Sequence, residues 1–420
     1  MRNLTVAGLV LVATAAFFGP ALGQTGSVSI AVVWSGQELE AFEATIAKFE
    51  QDTGIDVTIE PVGRDLPTVL ITRVQAGNPP DVAALPNPGQ MKELVAQGVL
   101  VPLDNYIKLD QQPKGFLDLT TVDGHVYGIF LDADVKSLVW YNPKAFAAQG
   151  YEVPETWDEL IALSDKIVAD GGVPWSIGLE SGAASGWPGT DWLEDLMLRI
   201  CGPEIYDLWV NHEISWLNPC VQAVWNAFGE IALNEDYVYG GIPGELSTNF
   251  GDAANPLFTD PPGAYMHRQA TFMQSFIQDA NPDLVPGEDY DVFLFPPMGP
   301  GLPTPILGSG DLVGVFNDAP ESQALIEYLS SAEAQEIFCS RLGKLAVNNT
   351  IDPNIYDNPI TRKAYGFLKE AEIFRFDASD LMPASVGSGA FWTELMSFVN
   401  GKPLDQVLNR IENVAQEAYK

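Results

Sequence analysis

Hydrophobic and polar positions along this chain change period repeatedly, and each change predicts an element. Residues 27–33 (Ser-Val-Ser-Ile-Ala-Val-Val) alternate and then run apolar, which reads as a first strand. Leu39, Phe42, Ile46 and Phe49 follow at three- and four-residue spacing and predict an amphipathic helix over 37–53, ended by Gly54. A strand over 55–59, a helix over 66–76, a strand over 81–85 and a helix over 89–97 complete an alternating rhythm. That rhythm is the signature of a parallel sheet covered by helices. Two longer strands are expected at 125–131 and 136–141, broken by Asp132-Ala133-Asp134, where the chain would cross into a second domain. Thr156 and Glu159 have the spacing of a capping box at a helix start. Helices are expected over 191–200, 220–232 and 267–278, then strands within 285–318 with Pro-rich turns at 296–304. Helices near 320–330, 332–341, 360–371 and 403–418 finish the chain. With no repeat and no low-complexity linker, the pattern predicts domains that exchange segments through more than one crossover.

Residues 1–23 stand apart. Met1-Arg2-Asn3, an apolar run from Leu4 to Phe18 and small residues ending at Gly23 form the pattern of a secretory signal peptide. The run is shorter than the ~20 apolar residues that a spanning helix needs. Cleavage near Gly23 would leave Gln24 first, with no cysteine nearby to carry a lipid, so a soluble periplasmic or extracellular protein is expected. The net charge of −35 argues against nucleic acid or an anionic membrane as partner, and suits a neutral or cationic solute. An acidic surface also serves solubility alone. Three histidines give little material for a metal site or a catalytic triad, and no metal or cofactor is expected. In an oxidising compartment the three cysteines predict one disulfide, Cys201 with Cys220, and one free thiol, Cys339.

Several segments together resemble a known family. They are F-E-x-x-T-G-I-D-V at 49–57, A-G-N-P-P-D-V at 76–82, V-P-L-D at 101–104, and Y-N-P-K-A-F-A-A-Q-G-Y-E-V-P-E-T-W-D-E-L at 141–160. These resemble the extracellular solute-binding proteins of bacterial ABC importers, in the group that binds sugars and oligosaccharides. The segments S-G-A-A-S-G-W-P-G-T-D-W at 181–192, M-H-R-Q-A at 266–270, G-S-G-D-L-V at 308–313 and R-F-D-A-S-D-L-M-P at 375–383 resemble its α-glucoside-binding branch. The resemblance implies an α/β fold of two lobes, each a mostly parallel sheet flanked by helices, with hinge crossovers and a ligand cleft between them. The crossings would fall near 130–137 and 303–317, with a return near 345–352. One lobe would hold 27–132 and 305–348, the other 133–304 and 349–420. A monomer that closes on its solute and docks on membrane permease subunits is implied.

Sugar recognition needs planar polar groups that bond paired hydroxyls, and aromatic faces that cover the ring. In open α/β sheets such groups sit in loops at the carboxyl ends of strands. The loop after the first strand offers Trp34 and Glu38, which would otherwise pack the strand end and complement a helix dipole. The loop after the second offers Arg64 and Asp65, Asp65 also standing where an N-cap would. After the third comes Asn87. Asp132 and Asp134 interrupt apolar strands, where an unpaired acid is costly outside a cleft. Trp187 lies among glycines and a proline, read as an irregular loop presenting a stacking face. Arg268 is read at the start of a helix, as a fork for hydroxyls or an ion-pair partner. Gly310 and Asp311 precede a strand, where glycine permits close backbone approach. Arg375, Asp380 and Trp392 complete the candidates.

Two other readings compete. A secreted glycoside hydrolase would need two carboxyl groups about 5–9.5 Å apart, available in principle among 56 acids. The other is a binding protein for a glycosyl-polyol or another non-sugar solute. No G-x-S-x-G, H-E-x-x-H or P-loop motif supports further chemistries.

Overall fold

The computed structural model describes residues 26–420 apart from Pro86 and Arg341, so the expected signal peptide lies outside the described residues. The strands are β1 (Ser27–Val32), β2 (Asp56–Pro61), β3 (Val82–Leu85), β4 (Thr121–Val122), β5 (His125–Val126), β6 (Ile129–Phe130) and β7 (Asp134–Val135). They continue with β8 (Leu138–Tyr141), β9 (Met266–Arg268), β10 (Asp291–Leu294), β11 (Ile306–Ser309), β12 (Leu312–Val315) and β13 (Phe374–Phe376). A five-stranded sheet runs β2-β1-β3-β12-β6, with β1 parallel to both neighbours and β12 antiparallel to β3 and β6. A second sheet runs β10-β8-β9 and a third β13-β11-β7.

The early alternation folds as its period dictates. The helix Gly36–Thr53 buries Phe42, Ile46 and Phe49, and Gly54 ends it at φ 71°, a left-handed conformation that costs a glycine little. At the later capping box Thr156 Oγ1 accepts the Glu159 N–H at 3.3 Å, while the Glu159 carboxylate accepts the N–H of Glu155 at 2.8 Å.

Three expectations are corrected. The two long strands at 125–131 and 136–141 divide into β5, β6, β7 and β8, because the chain changes partner every few residues. β5 pairs with β4, β6 with β12, β7 with β11, and β8 with β9 and β10. The sheet of the second lobe is antiparallel throughout β10-β8-β9, and Trp175 adds only single parallel bridges to Val238 and Met266. Helices fill most of the chain between β8 and β9, so no strand–helix–strand alternation imposes parallel pairing there. The helix expected over 267–278 begins only at Met273, and Arg268 stands on β9 instead.

Two apolar cores result, giving a two-lobed α/β fold. One gathers Trp34, Phe42, Phe49, Leu85 and Phe338 around the five-stranded sheet. The other gathers Trp175, Trp192, Trp209, Trp225 and Phe391. Cys201, at the end of the helix Trp187–Ile200, is disulfide-bonded to Cys220 of the helix Pro219–Ala232, with Cα atoms 6.0 Å apart. Closing a loop of that length stabilises by ~3 kcal/mol. Cys339 is a buried free thiol. Among the described residues, no helix is long and apolar enough to cross a membrane.

One buried acid has no such support. Glu245, on the helix Gly241–Ser247, is fully buried, and neither carboxylate oxygen has a hydrogen-bond partner among the described residues. Burial pushes its carboxyl well above the usual range. A carboxyl raised by folding favours the folded state at low pH, and that contribution is lost as pH rises through the folded value. Glu245→Gln keeps the shape without the titration, so its melting temperature should fall less between pH 5 and pH 8 than that of the wild type. Every tenfold gain in proton affinity on folding corresponds to about 1.4 kcal/mol. Parallel pH profiles for the two chains in differential scanning calorimetry would refute this.

Candidate functional site

The loops at the carboxyl ends of the strands converge on one cavity of about 90 Å³. On one side stand Val33 after β1, Arg64 in the turn after β2, Asn87 after β3, and Ser309 at the end of β11 with Gly310 and Asp311 beyond it. From the facing side come Asp134 on β7, Lys136 beyond it, Trp187, Phe272, the Asp377-Ser379-Asp380 group after β13, and Trp392. Gly310 is required by crowding, since a Cβ there would stand 2.2 Å from the Asp132 carbonyl oxygen.

Two buried lysines organise the wall. Lys344 Nζ lies 2.8 Å from Asp311, 3.3 Å from Asp132, and 3.6 Å from both Asp134 and Glu38. Burial alone would depress this ammonium, but the surrounding carboxylates hold it well above the usual lysine range. Burial would raise the Asp311 carboxyl, and Lys344 reverses this, holding it below the usual value. The Trp34 indole N–H donates to Asp311 at 2.8 Å, while its ring packs on Phe42 and Phe338. Trp34, Glu38 and Asp132 therefore stand behind the cavity wall rather than on it. Asp134 accepts from the Thr271 hydroxyl at 2.6 Å and the Phe272 N–H at 3.0 Å, which fixes its carboxylate at the cavity edge.

Lys136 is the second organiser. Its Nζ lies 2.9 Å from Asp191 and bonds Asp377 as well. Asp191, Glu194 and Asp377 place carboxylate oxygens within 4.8 Å of one another. Lys136 neutralises two members of this trio, and the third, Glu194, accepts the N–H groups of Ala378 and Ser379 at 2.9 and 3.1 Å. Burial raises Asp191 to about 7 and lifts Asp380 well above the carboxylate range, the latter helped by Asp377. Arg268 lies 2.9 Å from Asp195 and 3.9 Å from Asp191, so it braces this cluster from behind rather than reaching the cavity.

Two candidates lie elsewhere. Arg375 grips Asp207 through two bonds of 2.6 and 2.7 Å, away from the cavity. Asp65 is exposed and, although it precedes the helix Leu66–Gln75, makes no side-chain cap bond.

The groups left to meet a ligand are few. Among the described residues, no carboxylate lies within ion-pair distance of the Arg64 guanidinium, which stands 5.2 Å from the centre of the Phe250 ring. Trp187 is not in an irregular loop: it opens the helix Trp187–Ile200, behind Gly186 at φ 108°. Its ring packs on Phe250 and Phe272 with Lys136 5.3 Å above it, and its buried indole N–H has no acceptor among the described residues. Trp392 donates its indole N–H to Ser379 at 3.2 Å. Asn87 donates its amide to Asp380. Sequence reasoning passed over Lys136, Lys344 and Phe272. The lysines had a signal: each is a lone cation in an apolar run, 135–140 and 342–347, where a charge persists only if paired.

The comparisons agree with this geometry. The family model of bacterial extracellular solute-binding proteins matches residues 34–336. The osmoprotective compounds-binding protein GgtB of Synechocystis sp. is 43% identical over 92% of this chain and 91% of its own length. The alpha-glucosides-binding periplasmic protein AglE of Rhizobium meliloti is 41% identical over 90% of this chain and 84% of its own. Among solved structures, a chitin oligosaccharide binding protein superposes with TM-score 0.83 at 20% identity, covering 94% of this chain and all of its own. The bacterial solute receptor AcbH superposes with TM-score 0.81 at 22% identity, over 94% of this chain and all of its own. Lobes, cavity and relatives thus lead to one conclusion: the chain belongs to the bacterial extracellular solute-binding proteins.

Proposed function

We propose that the chain is the exported, non-enzymatic solute-binding component of an ABC importer. In this reading it captures a neutral carbohydrate, an α-glucoside or small oligosaccharide, and delivers it as a monomer to the membrane permease. The observation that carries the reading is the lining of the cavity. Asn87, Asp134, Asp311 and Asp380 offer planar polar groups, Arg64 a guanidinium fork with no ion pair among the described residues, and Trp187, Phe272 and Trp392 aromatic faces. The relationship to an alpha-glucosides-binding protein supports the α-glucoside. A second ligand reading, a glycosylated polyol, is favoured by the comparable relationship to an osmoprotective compounds-binding protein. The lobes are 27–132 with 305–348, and 133–304 with 349–420, and the hinge is the sheet β13-β11-β7. Cleavage near Gly23 releases the mature chain to the periplasm or cell exterior.

A thermal-shift screen of neutral α-linked disaccharides and glycosyl-polyols, with uronic acids and polyamines as counter-examples, tests the reading. A ligand at 100 times its Kd adds ~2.7 kcal/mol to the folded state. Shifts confined to the charged compounds, or turnover of nitrophenyl glycosides, would sink it.

Two further outcomes are expected. Arg64→Ala should weaken binding of the sugar found by that screen at least about tenfold, since a hydrogen bond from a charged donor is worth ~1.5–3 kcal/mol. The ligand-free melting temperature should barely move, because Arg64 is only half-buried and, among the described residues, has no ion pair to lose. Titration calorimetry showing unchanged affinity would remove Arg64 from the site. Groups from both lobes can be bridged only when the cleft is closed, so ligand should shift the chain toward a more compact state. Small-angle scattering should report a smaller radius of gyration at saturating sugar, and identical radii would rule out hinge closure.

A further inference from the structure

The helix Pro88–Ala96 leaves the cavity edge and touches the segment after β13 at three successive places. Asn87, just ahead of the helix, donates to Asp380 inside the cavity. Gly89, outside the cavity, sits so close to that segment that a Cβ would stand 2.1 Å from the Met382 carbonyl oxygen and 3.0 Å from that of Leu381. Glu93, one turn on and on the same helix face, accepts the Ala384 N–H at 2.8 Å. Gly89 has no positive φ to explain its identity, so close approach is the requirement. The obstacle is backbone carbonyl, which cannot swing aside as a long side chain would.

We infer that Gly89 and Glu93 form a closure latch: residues that set ligand affinity without touching ligand, by stabilising the closed arrangement in which Asn87 meets Asp380. The inference rests on the proposed lobes, because Gly89 and Glu93 belong to one and residues 380–384 to the other. Opening the cleft breaks all three contacts together. The apparent affinity of a chain that binds only when closed scales with its closed fraction, so weakening the latch lowers affinity with an unchanged cavity. A methyl group at position 89 holds the helix off Met382, and loss of the Glu93 carboxylate leaves the Ala384 N–H without its acceptor.

The test uses the full chain, with Gly89→Ala, Glu93→Ala and Glu93→Gln. Binding of the sugar identified for the wild type is followed by titration calorimetry, closure by small-angle scattering, and the Ala384 amide by hydrogen exchange. The latch predicts affinity lower by about tenfold for Gly89→Ala, a ligand-bound radius of gyration near the open value, faster exchange at Ala384, and unchanged ligand-free melting. Glu93→Gln, which keeps an acceptor oxygen, should recover most of what Glu93→Ala loses. Wild-type affinity and closure in Gly89→Ala overturn the latch, as does a fall in melting temperature that accounts for all the lost binding. If no sugar binds the wild type, the carbohydrate reading fails separately. Exchange at Ala384, measured with whichever other solute of the thermal-shift screen binds, then decides: faster in Gly89→Ala and Glu93→Ala supports the latch, and an unchanged rate overturns it.

Discussion

Burying an ammonium group is the constraint on which this site depends. Lys344 and Lys136 are both almost fully removed from water, and each persists because carboxylates surround it. Removing one partner of such a group costs ~3–5 kcal/mol, since a buried charge is left uncompensated. The acids are therefore held in place by the lysines as firmly as the lysines are held by them. That mutual fixation gives the cavity its preorganised acceptors: Asp311 and Asp134 around Lys344, and Asp377 on Lys136, with Asp380 beside it.

Both clusters border one small sheet. Asp134 is on β7, Ser309 ends β11, and Asp377 follows β13, so the strands β13-β11-β7 carry groups from both clusters within a few residues. Ala133 and Leu345 form an isolated bridge beside this sheet, which ties Lys344 to the same region. Ser137 braces β11 against the helix Trp187–Ile200, its hydroxyl donating to Asp195 at 2.7 Å and accepting the Leu307 N–H at 2.8 Å. If this sheet is the hinge, as proposed, a rotation about it would move the Lys136 cluster against Lys344, Asp311, Asp132 and Glu38, with Asp134 on β7 at the pivot. Such a hinge would keep most of the buried ion pairs intact while the cleft changed shape.

Elements were legible where one period ran undisturbed, as from β1 to the helix Pro88–Ala96. They were lost where two- and three-residue strands changed partners, since β5, β6 and β7 are too short to show any period. For the site, the sequence marked Asp132 and Asp134 as acids too costly to leave unpaired, and both are deeply buried. It had no means of showing which side of the wall each occupies: Asp134 lines the cavity, whereas Asp132 stands behind it. Trp34 and Arg268 are cases of the same kind. The rule that singled out the acids applies equally to lone cations in apolar runs, and carrying it to Lys136 and Lys344 would have found both organisers. Trp187 escaped for a different reason. Its glycine-rich surroundings indicate a loop, but Gly186 supplies only the left-handed turn into a helix that starts at Trp187 itself.

Charge also bears on what such a cavity accepts. Lys344 is already shared among four carboxylates and Lys136 between two, so neither ammonium is left to balance a charged ligand. An anionic solute would meet the Asp134, Asp311 and Asp377 carboxylates at short range, with Arg64 the one lining cation without an ion pair among the described residues to offset them. A low-dielectric wall makes that repulsion stronger than it would be in water. A neutral polyhydroxy ligand, as proposed, would avoid it, since hydroxyls can donate to carboxylates and accept from a guanidinium. The acidic balance of the whole chain, net −35, works in the same direction by lowering the local concentration of anions before they reach the cleft.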